Sequence, residues 1–68
     1  LFENCTFDYI NLSESTYEGL SLIKCTIKKY LLANSSSFRN LSLQEMKYGK
    51  GLEFEDLGAT YEASERFF

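Results

Sequence analysis

A large apolar or aromatic residue recurs at every fifth position from Phe2 through Phe7, Leu12, Tyr17, Leu22 and Ile27. An amphipathic helix needs apolar residues at i, i+3, i+4 and i+7, and a half-buried strand needs strict alternation, so neither template holds over this stretch. The position two before each large residue is also mostly apolar or small. The pairs are Cys5 and Phe7, Ile10 and Leu12, Ser15 and Tyr17, Leu20 and Leu22, Cys25 and Ile27, Tyr30 and Leu32. The spacing slips by one inside "NSSSF", after Asn34, and resumes as Ser36 and Phe38, Leu41 and Leu43, Met46 and Tyr48. It slips again at "GKG", Gly49 to Gly51, before Leu52 with Phe54 and Leu57 with Ala59. The remaining positions are polar almost throughout; Tyr9, Ile23, Leu31 and Ala33 are the exceptions, and this count points Ile23, Leu31 and Ala33 outward.

Two inward residues and a tight turn, repeated four times, close a square coil of roughly 20 residues whose neighbours stack at the strand spacing of about 4.8 Å through parallel backbone hydrogen bonds. No single coil buries its own inward residues, so stacked neighbours supply the core, as in any solenoid. The pattern therefore predicts an all-β chain, a parallel β-helix of about three coils over residues 1–59. The tail "GATYEASERFF" fits either a capping helix over residues 60–68, with Ala63, Phe67 and Phe68 on one side, or the start of a further coil. A leucine-rich repeat is the competing reading of "LSLIKCTI" and "LSLQEMKY". The same pattern recurs in "CTFDYINL", which starts at Cys5 where the first of those two starts at Leu20; that offset is three fives and too short for a leucine-rich repeat.

Composition narrows the function classes. At 68 residues the chain is at most one small domain, burying about 60% of the surface its unfolded form exposes. With 44% hydrophobic and 16% aromatic residues and no Pro, it is too apolar for disorder. It contains no run of roughly 18 apolar residues that would span a membrane. Its start, without Met or a basic-then-apolar leader, is what a piece of a longer chain would show. His is absent, which removes the usual general base and the commonest metal ligand. Two Cys do not complete a structural zinc site, and no Gly-rich phosphate cradle is present. The expectation is a chain that is not an enzyme and takes no cofactor or metal.

The repeat resembles the pentapeptide-repeat family, written A-(D/N)-L-x-x. "NCTFDY", "INLSE", "STYEG" and "CTIKK" are the clearest copies and "EDLGA" reproduces the D-L step. The resemblance implies a right-handed quadrilateral β-helix serving as a protein-binding scaffold. Ile10, Leu20, Tyr30, Leu41 and Met46 stand where that family has Ala, which implies a wider or less regular coil. Some relatives mimic DNA and engage type II topoisomerases, but that mimicry wants a strongly acidic rod, and a net charge of −3 with clustered lysines fits it poorly. "FENCTF" and "KCTI" are also similar to the lumenal repeat domain of the synaptic-vesicle glycoprotein 2 transporters, which the rest of the chain does not follow.

Coil stacking sorts the charges. Steps centred on Phe7, Ile27 and Tyr48 share one face, so Asp8, Lys28, Lys29, Lys47 and Lys50 lie together on its outer side with Lys24 one corner away. Lys28, Lys29, Lys47 and Lys50 are the candidate partner-binding residues, for an acidic protein surface or a phosphate, against the simpler reading of a solvated face. With no aromatic but Tyr9 among them, nucleic acid is not the expected partner. Steps centred on Leu12, Leu32 and Phe54 put Glu14, Glu53, Glu55 and Asp56 on the next face. Cys5 and Cys25, one coil apart, stack inward as small apolar fillers or as a disulfide. Asn4, Asn11, Asn34 and Asn40 each open an N-x-S/T triplet. They are candidate glycosylation sites if the chain is secreted or lumenal, although the repeat places Asn, Ser and Thr at its polar positions in any case. The functional expectation is a cytoplasmic scaffold with a protein partner, against a glycosylated extracellular or lumenal recognition domain or a rigid spacer in a longer solenoid. Self-association through the solenoid ends is compatible with all three.

Overall fold

The computed structural model describes residues 1–68. Every regular element is a strand: β1 (Phe2–Glu3), β2 (Thr6–Asn11), β3 (Thr16–Glu18), β4 (Ser21–Ile23), β5 (Thr26–Leu32), β6 (Ser37–Arg39), β7 (Ser42–Gln44), β8 (Lys47–Tyr48), β9 (Glu53–Glu55) and β10 (Thr60–Glu62). All pairings are parallel. They form three ladders, β1-β4-β7, β3-β6-β10, and β2-β5 with β8 and β9 both continuing from β5. This is a parallel β-helix, and its stacking register is legible residue by residue: Phe2, Leu22 and Leu43; Phe7, Ile27 and Tyr48; Ile10, Leu31 and Phe54; Tyr17, Phe38 and Tyr61.

Three corners of each coil are turned by a residue in the left-handed region. Asn4, Lys24 and Glu45 (φ 58°, 53° and 51°) form one corner column, Glu14, Ser35 and Gly58 (54°, 54° and 74°) a second, and Gly19, Asn40 and Ala63 (72°, 58° and 45°) a third. Each costs a non-glycine residue about 1–2 kcal/mol in isolation. The columns are tied by inter-coil bonds that offset this: the Asn4, Glu14 and Gly19 N–H groups donate to the Ile23, Asn34 and Arg39 carbonyls at 2.9, 2.8 and 2.8 Å. The fourth corner lies inside β2 and β5, where inward–outward alternation breaks. Asp8 and Tyr9 are both exposed between Phe7 and Ile10, and Lys28, Lys29 and Tyr30 are all exposed between Ile27 and Leu31.

That extra outward residue corrects the inferred register. Phe7 pairs with Ile27, four steps of five along the chain, but Tyr9 pairs with Tyr30 and not with Lys29, so the slip lies at Lys28–Tyr30 and not in "NSSSF". Leu31 and Ala33 are consequently wholly buried, not outward, while Tyr30 is 39% exposed. The second slip is where expected, at Gly49–Gly51, but it is larger, since Glu53 pairs with Tyr30 where the repeat count sets it against Leu31. The last inward pair shifts with it, so Leu57 is exposed and Tyr61 packs inside in its place.

The second coil provides the closed centre, with Leu22, Cys25, Ile27, Leu31, Ala33, Ser36, Phe38 and Leu41 all buried. Its stacked ladder of Tyr17, Phe38 and Tyr61 has ring centroids 5.4 and 5.1 Å apart and near-parallel planes, at 12° and 18°. Ser36, the one buried polar residue, donates its hydroxyl to the Ala33 carbonyl at 2.6 Å. The tail contains no helix. β10 completes the third coil against β6, and Ser64 Oγ and the Glu65 carboxylate then accept the Leu41 and Leu43 N–H groups. Phe67, 3% exposed, closes the end of the core edge-on to Phe38 at 5.5 Å. Cys5 and Cys25 stack one coil apart with free thiols, and Cys25 is wholly enclosed.

Tyr61 carries the one orphan of this core, a buried hydroxyl with no hydrogen-bond partner. Tyr61→Phe is therefore expected to raise stability by about 1 kcal/mol, read as a higher urea midpoint. Burial, then the Asp56 carboxylate, push the Tyr61 hydroxyl above its ordinary pKa, with Arg66 opposing. Burial and Glu65 do the same at Tyr48. A raised folded-state pKa keeps its stabilisation below about pH 10 and loses it as pH climbs beyond. The chain should thus weaken from about pH 10 upward, and Tyr61→Phe should lessen that loss.

Candidate functional site: the lysine side

Residues of β2, β5 and β8 build this side. The register Phe7–Ile27–Tyr48 turns those three side chains inward, so the residues between them face out. Lys47 pairs with Thr26 on β5, Lys28 and Lys29 follow Ile27, and Lys50 sits in the glycine turn after β8. All four are exposed. Their stems need no buried partner, and their ammonium groups make no ion pair, the single salt bridge being Arg39 to Glu62 at 3.2 Å on another side. Unpaired and exposed, these cations leave a local positive field on a chain whose net charge is −3.

The side has two depressions. One, of about 330 Å³, is lined by Lys28, Lys29, Tyr30, Gly51 and Glu53. The other, also about 330 Å³, is lined by Asn4, Lys24, Thr26, Glu45 and Lys47, which places Lys24 at the neighbouring corner as inferred. The expected separation of lysines from carboxylates does not hold, because β9 pairs with the Tyr30–Leu32 end of β5 and brings Glu53 to the edge of the first depression. Glu55 is instead held by the Asn34 side-chain amide at 3.4 Å.

Gly49 sets the close approach beneath this side. Its N–H donates to the Ile27 carbonyl at 2.8 Å, and a Cβ built there would overlap the Lys28 carbonyl oxygen and stand 3.0 Å from its carbonyl carbon. Only glycine lets the turn pass so near β5. Tyr9 and Tyr30, in register on β2 and β5, stand beside the lysines with centroids 5.8 Å apart. The repeat count places Tyr30 inside and so misses its contribution to this surface; the outward run Lys28-Lys29-Tyr30 is visible only once the slip is placed.

The four sequon asparagines differ. Asn4, Asn11 and Asn40 are exposed. Asn34 is half-buried, and its amide is engaged at both ends, with Oδ1 accepting the Leu57 N–H at 2.9 Å. Nowhere do three His, Cys, Asp or Glu residues gather where they could hold a metal ion. No helix is long and apolar enough to cross a membrane. A scan against family models matches none, and searches of curated proteins and of solved structures find no match.

Proposed function

We propose that this β-helix is a non-enzymatic binding module of the pentapeptide-repeat kind, and that its lysine side docks an acidic segment of a partner protein. The observation that carries the reading is that Lys28, Lys29 and Lys47, drawn from two successive coils, are exposed along the paired β5 and β8, with Lys50 exposed in the turn after β8, and that no carboxylate is ion-paired to any of them. A scaffold suits this role because the coil fixes each stem on a hydrogen-bonded ladder, so little backbone order is lost on binding. Ammonium groups held at strand spacings meet carboxylates along an extended chain, and the encounter gains from their shared field.

Titration of ¹⁵N-labelled protein with soluble poly-glutamate tests this. Amide shifts are expected at Lys28, Lys29, Tyr30, Lys47 and Gly51, and they should fade as salt shortens the screening length from about 30 Å at 0.01 M to about 3 Å at 1 M. The double variant Lys28→Glu with Lys29→Glu should abolish them while the fold persists, since both side chains are solvated. Shifts centred on β3 and β6, or none at low salt, would overturn the reading.

A further inference from the structure

Charge alone leaves one feature of the lysine side unused. Tyr9 and Tyr30 are 55% and 39% exposed, tilted at 56° to each other, and in register on the outer face where the repeat otherwise sets polar residues. They stand at the bend where β2 and β5 break alternation, so Lys28 and Lys29 flank Tyr30 directly. Tyr30 forms the apolar wall of the depression completed by Lys28, Lys29, Gly51 and Glu53. Gly51 leaves that wall low, with nothing within 4 Å of where a Cβ would lie. A volume of about 330 Å³ is at the small end of ligand pockets, which run from ~300 to ~1,000 Å³, and suits one inserted side chain better than a cofactor.

We propose that the Tyr9–Tyr30 pair is the anchor of this surface, and that its occupant is an acidic protein segment presenting a tyrosine. This rests on the lysine-side reading and names its specificity. The incoming ring packs on Tyr30, whose own position is braced by Tyr9, and aromatic pairs of this type attract beyond the area they bury. Flanking carboxylates reach Lys28, Lys29 and Lys50. Glu53 sets the choice of aromatic: its carboxylate accepts a hydrogen bond from the phenol, which a phenylalanine ring lacks. Tyrosine therefore suits the cleft better than phenylalanine, as expected of interface anchors surrounded by a polar rim.

Three otherwise identical glutamate-rich peptides, with Tyr, Phe or Ala at the centre, test the inference by amide-shift titration. The Tyr peptide should bind about tenfold more tightly than the Ala peptide. Tyr30→Ala should erase that difference, and Glu53→Ala should bring the Tyr peptide down to the Phe peptide. If Tyr30→Ala fails to fold, Tyr30→Thr, a good strand former, takes its place. Equal binding of Tyr and Ala peptides overturns the anchor and leaves the lysine reading standing. Failure of all three peptides overturns both, and a Phe peptide that binds the unaltered protein as tightly as the Tyr peptide overturns the role of Glu53.

Discussion

Leu31→Asn should leave the chain unfolded at room temperature, whereas Leu32→Asn, one residue on, should change its stability by less than about 1 kcal/mol. Leu31 is wholly buried between Ile10 and Phe54 in the ladder; Leu32 is half-buried and aligned with the exposed Asn11 and Glu55. Truncating a core leucine costs about 2–5 kcal/mol, and the new amide would be buried without partners for about 1–3 kcal/mol more. A domain of 68 residues has only about 3–10 kcal/mol of total stability to lose. At position 32 the amide instead joins Asn11 on a solvated edge. Circular dichroism and urea titration of the two variants decide the matter: equal losses, or the larger loss at position 32, would place the coil one residue out of register.

Gly49→Ala should cost at least about 3 kcal/mol, and Gly51→Ala should be neutral or stabilise by up to about 1 kcal/mol. The methyl group at position 49 would run into the Lys28 carbonyl oxygen and meet the Lys28 carbonyl carbon and Cα at 3.0 Å, all of them backbone. A side chain could rotate away; this strand cannot, because Thr26 and Ile27 are locked to Lys47 and Tyr48 on one side and Thr6 and Phe7 on the other. Because Lys28 moves with that strand, Gly49→Ala should also weaken poly-glutamate binding in whatever fraction remains folded. Calorimetric unfolding of the two glycine variants gives the comparison, and a tolerated alanine at position 49 would contradict the close packing of β8 on β5.

The five-residue period was readable because it reports a local steric rule repeated without interruption from Phe2 to Ile27. The first slip was not, since "KKYLLAN" offers two inward pairs of similar hydrophobicity. Tyr30 with Leu32 continues the count; Leu31 with Ala33 breaks it. Stacking decides between them: Ala33 fits a fully closed position, and Tyr30 outside keeps its hydroxyl in water and its ring on Tyr9. The tail misled in a similar way, because Ala63, Phe67 and Phe68 have helical spacing. The bonds that Ser64 and Glu65 accept from Leu41 and Leu43 instead keep the chain on the coil until Phe67 closes the core. Of the candidate site, the lysines were legible because Phe7, Ile27 and Tyr48 hold their predicted register. Tyr30 and Glu53 were hidden by the slips on either side of them.

Both the lysine side and its tyrosine anchor follow from the stacking register. Proton–proton contacts between side chains in solution measure that register directly. Contacts are expected to link Phe7 to Ile27 to Tyr48, Ile10 to Leu31 to Phe54, and Tyr17 to Phe38 to Tyr61, with Tyr9 against Tyr30 on the outside. Contacts of Leu32 in place of Leu31 with Ile10 and Phe54, or of Tyr30 with the interior, would contradict it.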